Sequence, residues 1–177
     1  VIRNPSYAYI AESTGAKIIY GDICDSETML SAFKGADRLV HLAAILREKR
    51  GSTYQSINVD AVKNVYCAAS KAGIKKAVQI SVIGADAGSS DPYFASRAAG
   101  ECYAMTSEIP TSVLRFSAVF GVGDEFTNVM AALVRLGPLV PVPGNGRARF
   151  QPIHVSDVAR TIVHAITSDM SLSKPLE

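Results

Sequence analysis

Residues 38–81 read RLVHLAAILREKRGSTYQSINVDAVKNVYCAASKAGIKKAVQIS, and the order of their patterns decides the fold. Arg38-Leu39-Val40-His41-Leu42-Ala43 is a short apolar run of the kind that forms a strand, and a polar loop carries the chain on through Gly51. From about Thr53 to Ala72 the period changes. Val59, Val62, Val65, Tyr66 and Ala69 recur at helical spacing, which predicts a long helix with one buried stripe, stopped by Gly73. Ala77-Val78-Gln79-Ile80-Ser81 is then a second strand. Two strands joined through a helix are parallel, so the chain reads as α/β with a parallel sheet.

The pattern continues on both sides. Upstream, Ala16-Lys17-Ile18-Ile19-Tyr20 reads as a strand and Gly21-Asp22 as a turn. A helix follows, capped by Asp25 or Ser26, with Met29, Leu30 and Phe33 at helical spacing before Lys34-Gly35 ends it. Downstream, Asp91 as N-cap and Pro92 as the first helical residue open another helix, which carries Ala98, Cys102 and Met105 along one side. Thr111 to Phe116 reads as a strand and Thr127 to Leu136 as a helix. Pro138, Pro141, Pro143, Gly144, Asn145 and Gly146 make a turn-rich loop expected to lie over a cleft. Phe150 to His154 is a short extended piece, and a helix runs from about Ser156 to Ile166 with Ser156 or Asp157 as its cap. No internal repeat or low-complexity tract interrupts this order.

Composition bounds the function. The 177 residues are 48% hydrophobic and 19% charged, too apolar for a disordered chain and of a length suited to one domain. A net charge of +2, with nothing more concentrated than Arg47, Lys49 and Arg50, gives no footprint for nucleic acid. Apolar runs such as 112–120 and 139–142 fall well short of the roughly 20 residues needed to cross a bilayer. Cys24, Cys67 and Cys102 are odd in number and lack CxxC spacing, which fits neither a disulfide framework nor a zinc site. They read as reduced structural residues of a cytoplasmic protein, or of one from the mitochondrial matrix in an organelle-bearing source. No basic and apolar leader is visible, and Val1 is an unusual native start.

Several pieces in order resemble one family. They are Val1-Ile2-Arg3-Asn4-Pro5, Gly21-Asp22-Ile23-Cys24-Asp25, Val40-His41-Leu42-Ala43-Ala44, residues 58–65, residues 81–86, Tyr93 to Arg97, Leu114-Arg115-Phe116-Ser117 and residues 119–124. Each is weak alone; eight in sequence resemble the extended and atypical short-chain dehydrogenase/reductases of the sugar-epimerase-like branch. Phe120-Gly121, Phe126-Thr127-Asn128, residues 133–138 and Arg149 to Ala159 are similar to the dehydrogenase-like accessory subunit of respiratory complex I and its bacterial relatives. The resemblance implies a Rossmann-type doubly wound parallel sheet that binds NAD or NADP across the carboxyl ends of its strands.

The same resemblance implies roles. Asp22 would accept a hydrogen bond from the adenine amino group, or it is a carboxylate held at a helix N-terminus. Arg3, at the end of the family's second strand, would pair with the 2′-phosphate of NADP, slightly favouring that cofactor, or it is a solvated arginine. Leu42, Ala43 and Ala44 would let the backbone approach the ribose and diphosphate, with His41 a packed structural residue. Phe116 and Ser117 would also face the cofactor. Asn58 would brace the active site, or it is an exposed polar residue of the helix. Tyr93 matches the general acid/base, Ser81 the hydroxyl that orients a carbonyl, and Arg97 stands where the family has lysine. Arginine keeps the charge and can hold a ribose, but it does not give up a proton, so cofactor binding is expected to survive better than turnover. Asp157 would cap a helix or, with Arg149, hold a diphosphate.

One family feature is missing from these residues. No GxxGxxG loop opens a helix, and the pairs Gly121/Gly123 and Gly144/Gly146 lack a third glycine. The expectation is therefore a domain lacking its first strand and phosphate loop, about 30 residues, and cut at its far end as well. In the order 3-2-1-4-5-6 the first strand is central, so two inner edges should go unpaired. Three functions remain open: a dinucleotide-binding protein with weak or no turnover, an active nucleoside-sugar epimerase or reductase, and a non-catalytic docking module with a protein partner.

Overall fold

A computed structural model describes residues 1–5, 8–124, 127–135, 137, 145–147, 149–168 and 174–177. In order these form α1 (Ala8–Glu12), α2 (Ser26–Ala32), β1 (Arg38–His41), a π turn (Gln55–Asp60) running into α3 (Ala61–Lys71), β2 (Lys76–Val82), α4 (Pro92–Thr106), β3 (Thr111–Phe116), β4 (Val119–Phe120), α5 (Thr127–Arg135), β5 (Ile153–His154) and α6 (Val155–Thr167). The expected loop over residues 138–144, Phe126 and the Leu136 end of α5 lie outside the described residues.

The α/β reading holds. β1, β2 and β3 form a parallel sheet in that order, with His41 beside Gln79 and Ser81 beside Arg115. Each strand is fed by a helix, so all three C-terminal ends lie on one edge. Alternation splits β2 between two cores. Ala77 faces α2, α3 and α4, where Met29, Phe33, Leu39, Val62, Val65 and Tyr66 close the larger core; Val78 packs with Leu114 and Ala165 under α6. Side chains buried this fully contribute about 1.5–3 kcal/mol each. The inner stripe expected for residues 53–72 is buried as read, and Gly73, at φ 79°, turns the chain out of α3.

Local chemistry sets the helix ends. Asp25 caps α2 through the N–H groups of Glu27 and Thr28, and Asp91 caps α4 through Tyr93. At the far end of α6, Arg38 donates to the Ile166 carbonyl and Lys76 to that of Ser168, placing two cations at a helix C-terminus.

Four expectations need correction. Residues 16–20 form no strand: among the described residues Ile2 alone makes a bridge to this segment, at Tyr20, by two hydrogen bonds of 2.9 and 3.2 Å, and one bridge does not make a ladder. No ladder among the described residues joins that bridge to β1. β1 stops at His41, two residues early. The side of α4 bearing Cys102 and Met105 faces solvent, while Ser96, Arg97, Gly100, Glu101 and Ala104 are buried. The cap of α6 is His154, whose Nδ1 accepts from the Ser156 N–H at 3.2 Å; Asp157 pairs with Arg160 instead. Residues missed from sequence include α1, and Leu176, which runs parallel to β3 beside Leu114.

Candidate functional site

The candidate residues gather at the carboxyl ends of the strands in three groups. Arg3, Asp22, Ala43 and Ala44 line one cavity of about 190 Å³ with Val1, Gly21, Ile23, Ile45 and Ile57. Asp22 Oδ1 accepts the Cys24 N–H at 2.9 Å, and Oδ2 lies 3.7 Å from Arg3. Both side chains are open to water, at 65% and 40% exposure, so the pair holds little energy and each group stays available to a ligand. Leu42 is 64% exposed and is not among the lining residues. Phe116 and Ser117 line a second cavity, about 320 Å³, with Ile83, Arg115, Pro152 and Ile153 among its walls.

Asn58 stands between the loop after β1 and α4. It is 1% exposed, which overturns the reading of a plain surface residue. Its Oδ1 accepts from the Ile45 N–H at 3.0 Å, and its Nδ2 donates to the Ile45 carbonyl at 3.3 Å and to Ser96 Oγ at 3.1 Å. Ser96 in turn donates to the Tyr93 carbonyl at 2.7 Å. The amide is spent within the protein, tying the loop after β1 to the first turns of α4. A π turn supplies this position, widening the backbone where an ordinary helix would not. The helices also meet closely: a Cβ on Gly100 would come within 2.3 Å of the Asn58 carbonyl oxygen.

The third group is Ser81, Tyr93 and Arg97. Tyr93 opens α4, half-buried, with its ring 5.8 Å from that of Tyr54 and 5.2 Å from Phe94. Burial pushes its hydroxyl above the usual tyrosine range, and the nearby Arg97 charge works the other way. Arg97 is one helical turn on, 6% exposed, and donates to the Ile80 carbonyl. Among the described residues Ser81 Oγ is buried without a hydrogen-bond partner. His41 is packed as expected, 4% exposed and 6.5 Å from Tyr66 ring to ring. Burial first, and the Arg97 charge second, lower its pKa to about 4, so the imidazole is neutral.

Tyr54, Ser96 and Gln79 were not singled out from sequence. Gln79 carried a signal, an amide amid the apolar run of β2. Ser96 and Tyr54 carried none, because their partners are remote in sequence or in another helix. Cys24, Cys67 and Cys102 are free and exposed. Among the described residues no helix is long and apolar enough to cross a membrane.

Known proteins are similar to this chain in sequence and in fold. A mitochondrial NADH dehydrogenase [ubiquinone] 1 alpha subcomplex subunit 9 of Arabidopsis thaliana is 26% identical over 148 residues, covering 83% of this chain and 37% of that protein. Ceramide reductase of Caulobacter vibrioides is 26% identical over 147 residues, covering 83% of this chain and 46% of the reductase. The chain thus spans less than half the length of either relative. Among solved structures, MoeE5 in complex with UDP-glucuronic acid and NAD superposes with a TM-score of 0.75 at 22% identity, over 97% of this chain and 71% of that one. DesIV, a dTDP-glucose 4,6-dehydratase from Streptomyces venezuelae with NAD bound, gives 0.74 at 22%, over 90% and 57%. The likeness in shape shows a shared Rossmann-type fold. Residues 1–175 match the NAD dependent epimerase/dehydratase family, and this chain belongs to it.

Proposed function

We propose that the chain binds a nicotinamide dinucleotide across the carboxyl edge of its sheet and turns substrate over weakly or not at all. The observation that carries this reading is the cavity that brings Arg3, Asp22, Ala43 and Ala44 together from three separate segments. The residues fit such a ligand. Asp22 keeps an exposed oxygen for an amino or hydroxyl donor, Arg3 keeps an unburied guanidinium for a phosphate, and small side chains admit the ligand backbone. Phe116 and Ser117 would flank the far end, and Asn58 would hold the Ile45 loop against it. A bound dinucleotide would supply hydride chemistry. The protein would supply the Tyr93 hydroxyl as proton donor or acceptor, Ser81 to orient a carbonyl, and Arg97 as a fixed cation that holds a ribose without releasing a proton.

Arg3 favours NADP over NAD in this reading. The subunit-9 and MoeE5 likenesses extend the proposal in two directions: a protein partner within a larger assembly, or a nucleotide-sugar substrate. The test is calorimetric titration of the full polypeptide with NADPH and NADH. Binding of NADPH, weakened several-fold by Arg3→Ala, supports the proposal; no binding of either at millimolar concentration refutes it and leaves a docking module.

The closeness of Tyr93 to a cation one helical turn away, Arg97, favours a second reading, an active epimerase or reductase. Cofactor reduction followed over a panel of nucleotide sugars, with and without Arg97→Lys, separates the two. Turnover by the unaltered protein would overturn the binding-only view.

A further inference from the structure

Behind the candidate catalytic group lies a second layer of polar side chains, all on the face of the sheet that meets α3 and α4. His41 and Gln79 are register partners on β1 and β2, and Ser81 follows Gln79 on the same face. Gln79 Nε2 and Arg97 Nη2 both donate to the carbonyl of Ile80, which pins the amide and the guanidinium to one point. All four residues are at most 6% exposed. Among the described residues Ser81 Oγ and Arg97 Nε have no protein partner, and the His41 ring nitrogens and Gln79 Oε1 have none beyond the interaction of these two side chains with each other. Leaving such atoms unsatisfied costs about 1–3 kcal/mol each, so a partner is expected.

The chemistry of the atoms identifies it. A neutral imidazole offers one donor and one acceptor; Arg97 Nε–H is a donor, Gln79 Oε1 an acceptor and the Ser81 hydroxyl both. An anion would satisfy Arg97 and Ser81 but face the Gln79 oxygen and the imidazole lone pair with charge of the wrong sign. A cation would face Arg97. Water satisfies donors and acceptors together.

We infer that His41, Gln79, Ser81 and Arg97 hold internal water, about two molecules, and that His41 and Gln79 act through it as positioning residues for the Arg97 guanidinium. Arg97 lies one turn from Tyr93, with Glu101 another turn along α4 and Arg115 paired to Glu101 from β3. Tyr66 flanks His41 from α3. The Arg97 charge favours the ionised form of Tyr93, so any reorientation of the guanidinium registers in the Tyr93 titration. The hydration stands on geometry alone; the positioning role rests on the proposed part of Arg97 in the site.

The experiment has two arms, neither of which uses a cofactor, so failure of dinucleotide binding is a separate result. The first is a high-resolution crystal structure of the unaltered protein. Ordered water within hydrogen-bond distance of Gln79 Oε1, Ser81 Oγ and Arg97 Nε is expected; well-ordered side chains without it, or density for a larger anion, overturn the inference. The second follows Tyr93 by NMR of ring-labelled tyrosine, assigned with Tyr93→Phe. Gln79→Leu should raise the Tyr93 midpoint by roughly half a pH unit, and Gln79→Asn, which keeps an amide and leaves room for water, should restore it. A folded Gln79→Leu protein with an unmoved Tyr93 midpoint overturns the positioning role.

Discussion

Replacing Asn58 by alanine removes one side chain that joins three segments. The amide makes hydrogen bonds of 3.0 and 3.3 Å to Ile45 and 3.1 Å to Ser96, from a position 1% exposed. At about 1 kcal/mol net for each bond, Asn58→Ala should cost roughly 3 kcal/mol. For a chain of this length that lowers the melting temperature by roughly 9 °C. Urea unfolding followed by circular dichroism should show a lower midpoint at unchanged slope, because the surface exposed on unfolding barely changes. Hydrogen exchange localises the effect: the Ile45 amide, which now donates to Asn58 Oδ1, should lose its protection. A double-mutant cycle with Ser96→Ala should give a coupling of about 1 kcal/mol, reporting the one bond they share. A loss below about 0.5 kcal/mol with Ile45 still protected would refute the account, since a surface substitution costs no more than that.

Other perturbations test other parts. Arg115 grips the buried Glu101 carboxylate with two bonds of 3.0 and 2.7 Å, so Arg115→Leu should cost roughly 3–5 kcal/mol by urea unfolding, and adding Glu101→Leu should recover most of it. Gly100→Ala puts a methyl group 2.3 Å from the Asn58 carbonyl oxygen and should destabilise by about 1–3 kcal/mol, read as a lower melting temperature. His41 has a pKa near 4 in the fold against 6.5 when unfolded, so the unfolded state binds the proton more tightly. Stability from this group is therefore whole above about pH 6.5 and drains as pH falls toward 4, by about 2 kcal/mol between roughly pH 7 and pH 5. Urea midpoints across that window should fall in the unaltered protein and flatten in His41→Phe.

What could be read from sequence depended on whether the signal was local. β2, β3, α2, the buried stripe of α3 and the Asp25 and Asp91 caps were legible because period, capping residue and stop signal lie within a few residues of one another. Residues 16–20 had the composition of a strand, yet a strand exists only through its neighbour, and Ile2 supplies one bridge. The cap of α6 was misread because serine and aspartate are commoner caps than a histidine acting through Nδ1.

Family and parallel sheet were thus determined by sequence alone, and Tyr93, Ser81 and Arg97 became candidates there, since motifs and periodicity are written in chain order. Only the tertiary structure decided that Arg3 and Asp22 share one cavity with Ala43 and Ala44, that Asn58 is a buried clamp, and that His41, Gln79, Ser81 and Arg97 form one polar layer. The physical reason is that burial and hydrogen-bond satisfaction belong to pairs of segments. Asn58 and Ser96 are 38 residues apart in the chain and 3.1 Å apart in the fold, a distance no local pattern encodes.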